Sequence, residues 1–273
     1  MPLGTLAIRK KDSNPTHHLY RNGNLWWVHF FVHHSEFKAR RVRKSLRTGS
    51  VVEAIARRDK LFEEITDRIP KKEQSVPVRL NNYEYFRRYE AGNEHGIYIR
   101  RKDKNSKEVV LLDVNILAKD KEFYQLANWS VSPKENLLAY AEDINGRRQY
   151  SIKFKDLDTD QTSNTTLENT SGDVAWSADG KYIFYVLRDE ETLLPFQIFK
   201  HEVGKTQKED VLIYQEKDTT FHLSVGNTRS MDFIEINISS TTSSEVRLIN
   251  SSKPNEKPKV FLKREKDHLY SVD

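Results

Sequence analysis

Serine and histidine side chains are the residues of this sequence that could form a hydrolytic site. A serine nucleophile needs a histidine base within hydrogen-bond reach and donors that stabilise the oxyanion. The candidate bases beyond residue 90 are His95, His201, His222 and His268. None of the ten glycines lies in a Gly-x-Ser-x-Gly turn, the motif that presents a serine above a hydrolase sheet. We therefore predict no catalytic residue and expect these histidines to lie on the surface or within strands.

A cluster of basic residues is the second candidate site. It comprises Arg40, Arg41, Arg43, Lys44 and Arg47. Residues 1–60 carry a net charge of +9 and the remaining residues carry −4, which together give the +5 of the chain. Such a basic segment attracts nucleic-acid phosphates whatever its fold. Basic side chains on a strand also prevent edge-to-edge pairing, so both interpretations stay open.

Histidine pairs suggest a third kind of site, a metal centre. His17 is followed by His18, His33 by His34, and His29 lies between the pairs. Adjacent side chains of a strand point to opposite faces, so such a pair cannot easily share one ion. We predict no metal and no cofactor. The lack of cysteine excludes disulfides, cysteine-ligated zinc, iron–sulfur clusters and thiol nucleophiles.

The first seventy residues predict a small module behind a disordered lead, residues 1–16. An Asn-Gly turn at residues 22–23 precedes an aromatic strand over 25–32, and a basic strand follows over 40–46. Ser50 can cap a helix over residues 51–69, which Pro70 ends. Residues 17–69 are therefore expected to form a small, basic three-stranded sheet plus a helix.

From residue 76 onward, short strand-like runs alternate with turns, and one segment repeats. Residues 132–140 follow Trp129 and residues 177–185 follow Trp176, so the copies lie 45 positions apart. A weaker third copy includes residues 223–225 and 233–236. A period of this size in a strand-rich chain is typical of propeller blades. The predicted fold is mainly β, with a partial β-propeller of about three blades over residues 76–273.

Several short sequence segments between about residue 61 and residue 273 resemble the amino-terminal half of the oligopeptidase B group within the prolyl oligopeptidase family. They include residues 64–70, 111–115, 147–150, 213–218 and 266–271. The resemblance implies a propeller inserted into an α/β-hydrolase domain, and serine peptidase activity on short peptides after Lys or Arg. It covers only the first blades, and no triad residue transfers to this sequence. The expected protein is a truncated peptidase-like propeller that is not itself an enzyme.

The amino-terminal module resembles a different family. Residues 20–30, residues 40–49 and the following helix are similar to the small DNA-binding domain of phage-type tyrosine recombinases. This resemblance implies that residues 17–69 bind DNA through the basic cluster. Two alternatives to the truncated peptidase therefore stay open. One is a DNA-binding module fused to a β-rich passenger, and the other is a propeller subunit that gates a separate hydrolase chain.

The expected partners follow from these alternatives. An incomplete propeller leaves blade faces uncovered, and each Å² of apolar surface left in water forfeits about 25 cal/mol. We therefore expect a hydrolase domain in trans, or self-association through the uncovered faces, and DNA contact by residues 17–69. No stretch approaches the roughly 20 apolar residues that span a bilayer, so we expect no membrane partner and a cytoplasmic location.

Overall fold

The computed structural model describes residues 14–35, 38–67 and 72–272, and most of these residues lie in strands or turns. They divide into two compact units. The first contains residues 1–75 and 88–94, and the second contains residues 76–87 and 95–273. No helix within the described residues is long and apolar enough to cross a membrane.

The first unit is a three-stranded antiparallel sheet with one helix. Its elements are β1 (Leu19–Asn22), β2 (Leu25–Ser35), β3 (Lys38–Ser45), α1 (Val51–Asp67) and the short β4 (Glu73–Gln74). The sheet order is β1-β2-β3, and β4 pairs with residues 88 and 89. Gly23, in the turn from β1 to β2, has the positive φ of 59° that such tight turns require.

Strand alternation decides which face of this sheet is buried. Trp26, Val28 and Phe30 project to one face, where they pack with Ala54, Leu61 and Ile65 of the helix. The helix begins where the sequence predicts, because the Ser50 hydroxyl accepts the backbone N–H of Glu53 at 3.5 Å. Trp27 projects to the opposite face, away from this core.

The second unit consists almost entirely of antiparallel strands. They are β5 (Val78–Leu80), β6 (Tyr83–Tyr89), β7 (Ile97–Arg101), β8 (Val109–Asp113), β9 (Gln125–Val131), β10 (Leu137–Asp143), β11 (Tyr150–Asp156), β12 (Thr162–Trp176), β13 (Tyr182–Arg188), β14 (Pro195–Glu202), β15 (Val211–Gln215), β16 (His222–Asn227), β17 (Phe233–Ser239), β18 (Ser244–Asn250) and β19 (Lys259–Leu262). A short helix α2 (Val114–Leu117) follows β8, and a 3₁₀ turn (Gln207–Glu209) precedes β15. The last two residues of β6 belong to the first unit.

These strands form four consecutive four-stranded blades. Blade 1 is β5–β8, blade 2 is β9 to the first half of β12, blade 3 is the second half of β12 to β15, and blade 4 is β16–β19. The long β12 passes from blade 2 to blade 3, and its register shifts between Thr170 and Val174. Gly172 lies at this shift with a φ of +89°, and an added Cβ would lie 3.3 Å from the Ala141 side chain. The mainly β class and the partial propeller predicted from the sequence are confirmed; three of the four blades carry the repeat.

The sequence repeat is a hairpin turn between the first two strands of a blade. The buried hydroxyls of Ser132, Ser177 and Thr228 each accept the backbone N–H of the residue five positions later, at 3.0–3.2 Å. Gly180 of the predicted Asp-Gly turn has a φ of +68°. The third copy is weaker in sequence because threonine replaces serine; Glu135 of the first copy and Met231 of the third take the positive φ of Gly180.

The blades stack face to face through three apolar clusters. Tyr85 and Leu111 of blade 1 pack with Tyr140 of blade 2, and Phe154 of blade 2 packs with Tyr185 of blade 3. Phe184 of blade 3 packs with residues of blade 4 that include Ile234 and Ile236. Neighbouring residues of β13 thus fill the cores on opposite sides of blade 3, and Ile183 and Phe184 are both fully buried.

Candidate functional site

The basic strand β3 places two arginines on the exposed face of the first unit's sheet. Arg43 lies opposite His29 of β2, and Arg41 lies opposite Phe31. Because paired residues share a face, these arginines project away from helix α1, on the side of Trp27 and Tyr20. Arg41 and Arg43 are both exposed. Guanidinium groups beside aromatic rings are the combination that proteins use to contact nucleic-acid backbones and bases.

The other members of the predicted basic cluster lie elsewhere. Lys44 pairs with Val28 and therefore belongs to the helix side of the sheet, where it is exposed. Arg47 follows the strand with a φ of +51°, and its carbonyl accepts a hydrogen bond from Arg57. Arg40 of β3 pairs with Val32 of β2, but the side chain of Arg40 lies outside the described part of the chain. Strand alternation, which the clustering in sequence conceals, thus brings only Arg41 and Arg43 together.

Three of the histidines form a cluster at the start of β1. His17 and His18 lie in a turn rather than in a strand, with a φ of +66° at His18, and their ring centroids are 3.9 Å apart. The rings of His18 and His29 are 6.1 Å apart. The expectation that adjacent histidines face opposite ways is therefore wrong for this pair. Within residues 14–35, 38–67 and 72–272, no three histidine, aspartate or glutamate side chains are placed to hold a metal ion.

His201 of the second unit makes a contact that resembles part of a catalytic triad. Its Nδ1 lies 2.7 Å from a carboxylate oxygen of Asp210, whose other oxygen accepts the Tyr185 hydroxyl at 2.8 Å. Phe154 of blade 2 stacks on the imidazole at 5.5 Å. His201 is fully buried, and its Nε2, the atom that would take a serine proton, has no hydrogen-bond partner among the described residues. This arrangement joins blades 2 and 3 and offers no nucleophile.

The remaining histidines of the second unit show no catalytic arrangement either. His222 is exposed, His268 is half-buried with Nδ1 3.9 Å from a Glu265 carboxylate oxygen, and His95 binds the side chain of Asn115 through its backbone. The predicted absence of a catalytic residue stays a prediction for the whole protein.

Side-chain amides join neighbouring blades where no backbone ladder continues. Asn227 of blade 4 accepts the Trp176 N–H at 2.8 Å and donates to the Trp176 carbonyl at 2.9 Å. Gln207 of blade 3 makes the same two-way contact with the backbone of Glu168 in blade 2, at 3.0 and 3.1 Å. Neither contact could be predicted from the sequence, because a side-chain amide that pairs with a distant backbone N–H and C=O leaves no pattern in the local sequence.

A buried ion cluster ties the chain after β19 to blades 3 and 4. Arg264 contacts Glu216, which follows β15, and lies 3.5 Å from Glu245 of β18. Burial alone would raise the pKa of Glu216, but hydrogen bonds from Arg264, the Asp218 N–H and the Tyr214 hydroxyl outweigh it and lower the pKa to about 2. The carboxylate is therefore charged at neutral pH and holds the terminal segment in place.

The fold defines the chain as part of a β-propeller protein, and comparison with known proteins identifies its family. The family model of the prolyl oligopeptidase N-terminal β-propeller domain matches residues 44–273. The chain is 38% identical to dipeptidyl aminopeptidase BI of Pseudoxanthomonas mexicana over 231 residues, and 30% identical to Protease 2 of Moraxella lacunata over 223 residues. Each alignment covers 79% of this chain and 32% of the relative.

Solved structures show the same fold. Oligopeptidase B from Leishmania major superposes with a TM-score of 0.73 at 24% identity, over 88% of this chain and 39% of that one. Oligopeptidase B from Trypanosoma brucei gives 0.70 at 23% identity.

The chain belongs to the prolyl oligopeptidase family and contains its amino-terminal propeller domain, which confirms the main resemblance seen in the sequence. The chain spans about one third of the length of these two curated relatives. The family match begins at residue 44 and so includes the whole of helix α1, of which the sequence resemblance, starting near residue 61, covered only the last turns. The similarity of residues 17–60 to recombinases stays a prediction.

Proposed function

We propose that this chain is the propeller part of a serine oligopeptidase and that it admits short peptides to an α/β-hydrolase domain outside these 273 residues. The observation that carries the proposal is the family match over four stacked blades that contain no nucleophile elbow. The hydrolase domain belongs either to a longer form of this chain or to a separate polypeptide. In both cases the propeller supplies access and positioning, and the serine chemistry takes place elsewhere.

Two substrate classes fit the relatives. The sequence resemblance to oligopeptidase B implies cleavage after Lys or Arg, and residues 61–273 carry a net charge of −4, which suits basic peptides. The relative from Pseudoxanthomonas mexicana is named a dipeptidyl aminopeptidase, which makes release of dipeptides the competing specificity. We place the protein in the cytoplasm, where a cysteine-free chain needs no oxidative folding.

The isolated chain is expected to self-associate through blade 4. Phe233, Val260 and Phe261 are 38–59% exposed there and line a hollow of about 350 Å³. Blades 2 and 3, by contrast, are each covered on both faces by neighbouring blades. The remainder of the peptidase would cover this face.

Peptidase assays of the purified chain test this proposal. We expect no turnover of fluorogenic peptides ending in Arg or Lys, none of a dipeptidyl reporter, and no covalent labelling by a fluorophosphonate. The Pseudoxanthomonas relative serves as the positive control for the dipeptidyl reporter. Turnover that a serine-directed inhibitor abolishes would show that the chain contains its own active site and would overturn the proposal.

A second candidate function is DNA binding by the exposed sheet face of the first unit. The juxtaposition of Arg41, Arg43, His29 and Trp27 on this face favours it. Each arginine that contacts a phosphate contributes about 0.9 to the slope of log affinity against log salt. Duplex binding, measured by fluorescence anisotropy, should therefore weaken steeply between low and moderate salt.

The arginine pair can be tested against a lysine on the other face. Replacing Arg41→Ala and Arg43→Ala should reduce the salt slope by about 2, whereas Lys44→Ala, which removes a charge from the helix side, should change it little. Equal effects of the two variants would show that binding depends on net charge alone. No binding even at low salt would exclude this function.

A further inference from the structure

The three imidazoles at the start of β1 are packed closely enough to interact electrostatically. One ring nitrogen of each of His17, His18 and His29 is buried, and these nitrogens have no hydrogen-bond partner in the described part of the chain. The ring of Phe62, from helix α1, lies 6.0 Å from His18 and excludes water on that side. No metal-binding arrangement is present among the described residues, so a proton is the ligand that this cluster can take up.

Positive groups face the cluster from β3 and from helix α1. Arg41 and Arg43 of β3 flank His29, and Arg58 of α1 donates to the carbonyls of Pro15 and His17 at 2.6 and 2.8 Å. Arg58 is 3% exposed and also binds Asp59 at 2.9 Å. The remaining neighbour is the ring of Tyr20, 5.4 Å from His29. A proton on His18 therefore meets the charge of Arg58, and a proton on His29 meets the charges of Arg41 and Arg43.

The pKa values of His18 and His29 are both shifted in the direction that this geometry implies. Burial, together with the neighbouring His17 and His29, lowers the pKa of His18 below its ordinary value of 6.5. Burial, followed by the charges of Arg41 and Arg43, lowers the pKa of His29. The folded unit thus resists protons that the unfolded chain accepts.

We propose that His18 and His29, packed together with His17, make the first unit acid-labile, so that it opens when these two imidazoles are protonated while the propeller blades remain folded. The pH dependence of stability follows from linkage between proton binding and folding. A histidine that binds a proton less well in the folded state does not affect stability above about pH 6.5, and it destabilises the folded state increasingly as the pH falls below that value. Protonation of His29 also adds positive charge beside Arg41 and Arg43. This acid-induced opening concerns the first unit alone and does not depend on the proposed peptidase function.

Hydrogen exchange of the full chain, followed by mass spectrometry and corrected for intrinsic rates, tests this at pH 7.5 and pH 5.5. We expect protection of β1, β2 and β3 to fall about tenfold or more on acidification. Protection of β13 in the propeller should stay constant. The variant His18→Gln with His29→Gln, neutral at both pH values, should lose the acid effect, whereas His222→Gln, at an exposed residue of the second unit, should keep it.

Two results would overturn the proposal. One is equal protection of β1–β3 at both pH values in the unaltered protein, and the other is the same acid-induced loss in the His18/His29 variant. Should that variant not fold, NMR titration of the imidazoles in the unaltered protein decides instead. Titration midpoints of His18 and His29 at or above 6.5 would then rule out the acid-induced opening.

Discussion

A buried hydroxyl at the same place in three blades shows how single residues set this fold. Ser177 is fully buried; its oxygen accepts the Tyr182 N–H at 3.0 Å, and its hydroxyl donates to Asp179 at 2.6 Å. Ser132 and Thr228 repeat the contact to the backbone. The hydroxyl satisfies a backbone donor that would otherwise be buried without a partner, and so it fixes the hairpin on which each blade begins.

Replacing Ser177→Ala should destabilise the propeller by about 1–3 kcal/mol, because the Tyr182 N–H loses its side-chain acceptor in a buried turn. Urea unfolding followed by tryptophan fluorescence measures the change, since Trp129 and Trp176 both lie in this unit. Ser252→Ala is the matched control, because Ser252 is exposed and its replacement should change stability by less than about 0.5 kcal/mol. Equal effects of the two variants would contradict a structural role for the repeat.

Elements with a local signature could be predicted, and elements that depend on neighbours could not. The run at 83–89 and the Ser50 cap point directly to β6 and to helix α1. β12 escaped prediction because its first half, over residues 162–171, is rich in Thr, Ser and Asn, and only pairing with β11 makes it a strand. Blade 1 lacks the serine turn of the repeat. The number of blades predicted from the repeat is therefore three, whereas the described strands form four.

For the candidate site, too, the sequence does not show on which face of the sheet each residue lies. The basic cluster is visible in the sequence, but its division between two faces depends on the register of β3 against β2. The histidine cluster depends on a turn that places His17 beside His18, which alternation along a strand would have prevented. The Asn227 and Gln207 bridges between blades require contacts of 51 and 39 positions in sequence, which no local pattern encodes.

The whole molecule combines a propeller that belongs to a peptidase family with a basic unit at its amino end. The family match covers residues 44–273, and the chain spans about one third of the length of the two curated relatives described above. The four blades stack through apolar cores and side-chain bridges, and none of their described histidines has a nucleophile beside it. On this account the chain supplies access to an active site and the hydrolase domain supplies the chemistry.

The most direct test is a chimera in which residues 44–273 replace the matching segment of the Pseudoxanthomonas dipeptidyl aminopeptidase. The account predicts a folded protein that reacts with a fluorophosphonate and cleaves short reporter peptides within about tenfold of the parent, a loss of no more than about 1.4 kcal/mol in transition-state stabilisation. It also predicts that folded protein substrates stay uncleaved. A chimera that shows a cooperative unfolding transition and fluorophosphonate labelling but turns over no peptide, or that digests folded proteins, would contradict the claim that these residues form a working peptidase propeller.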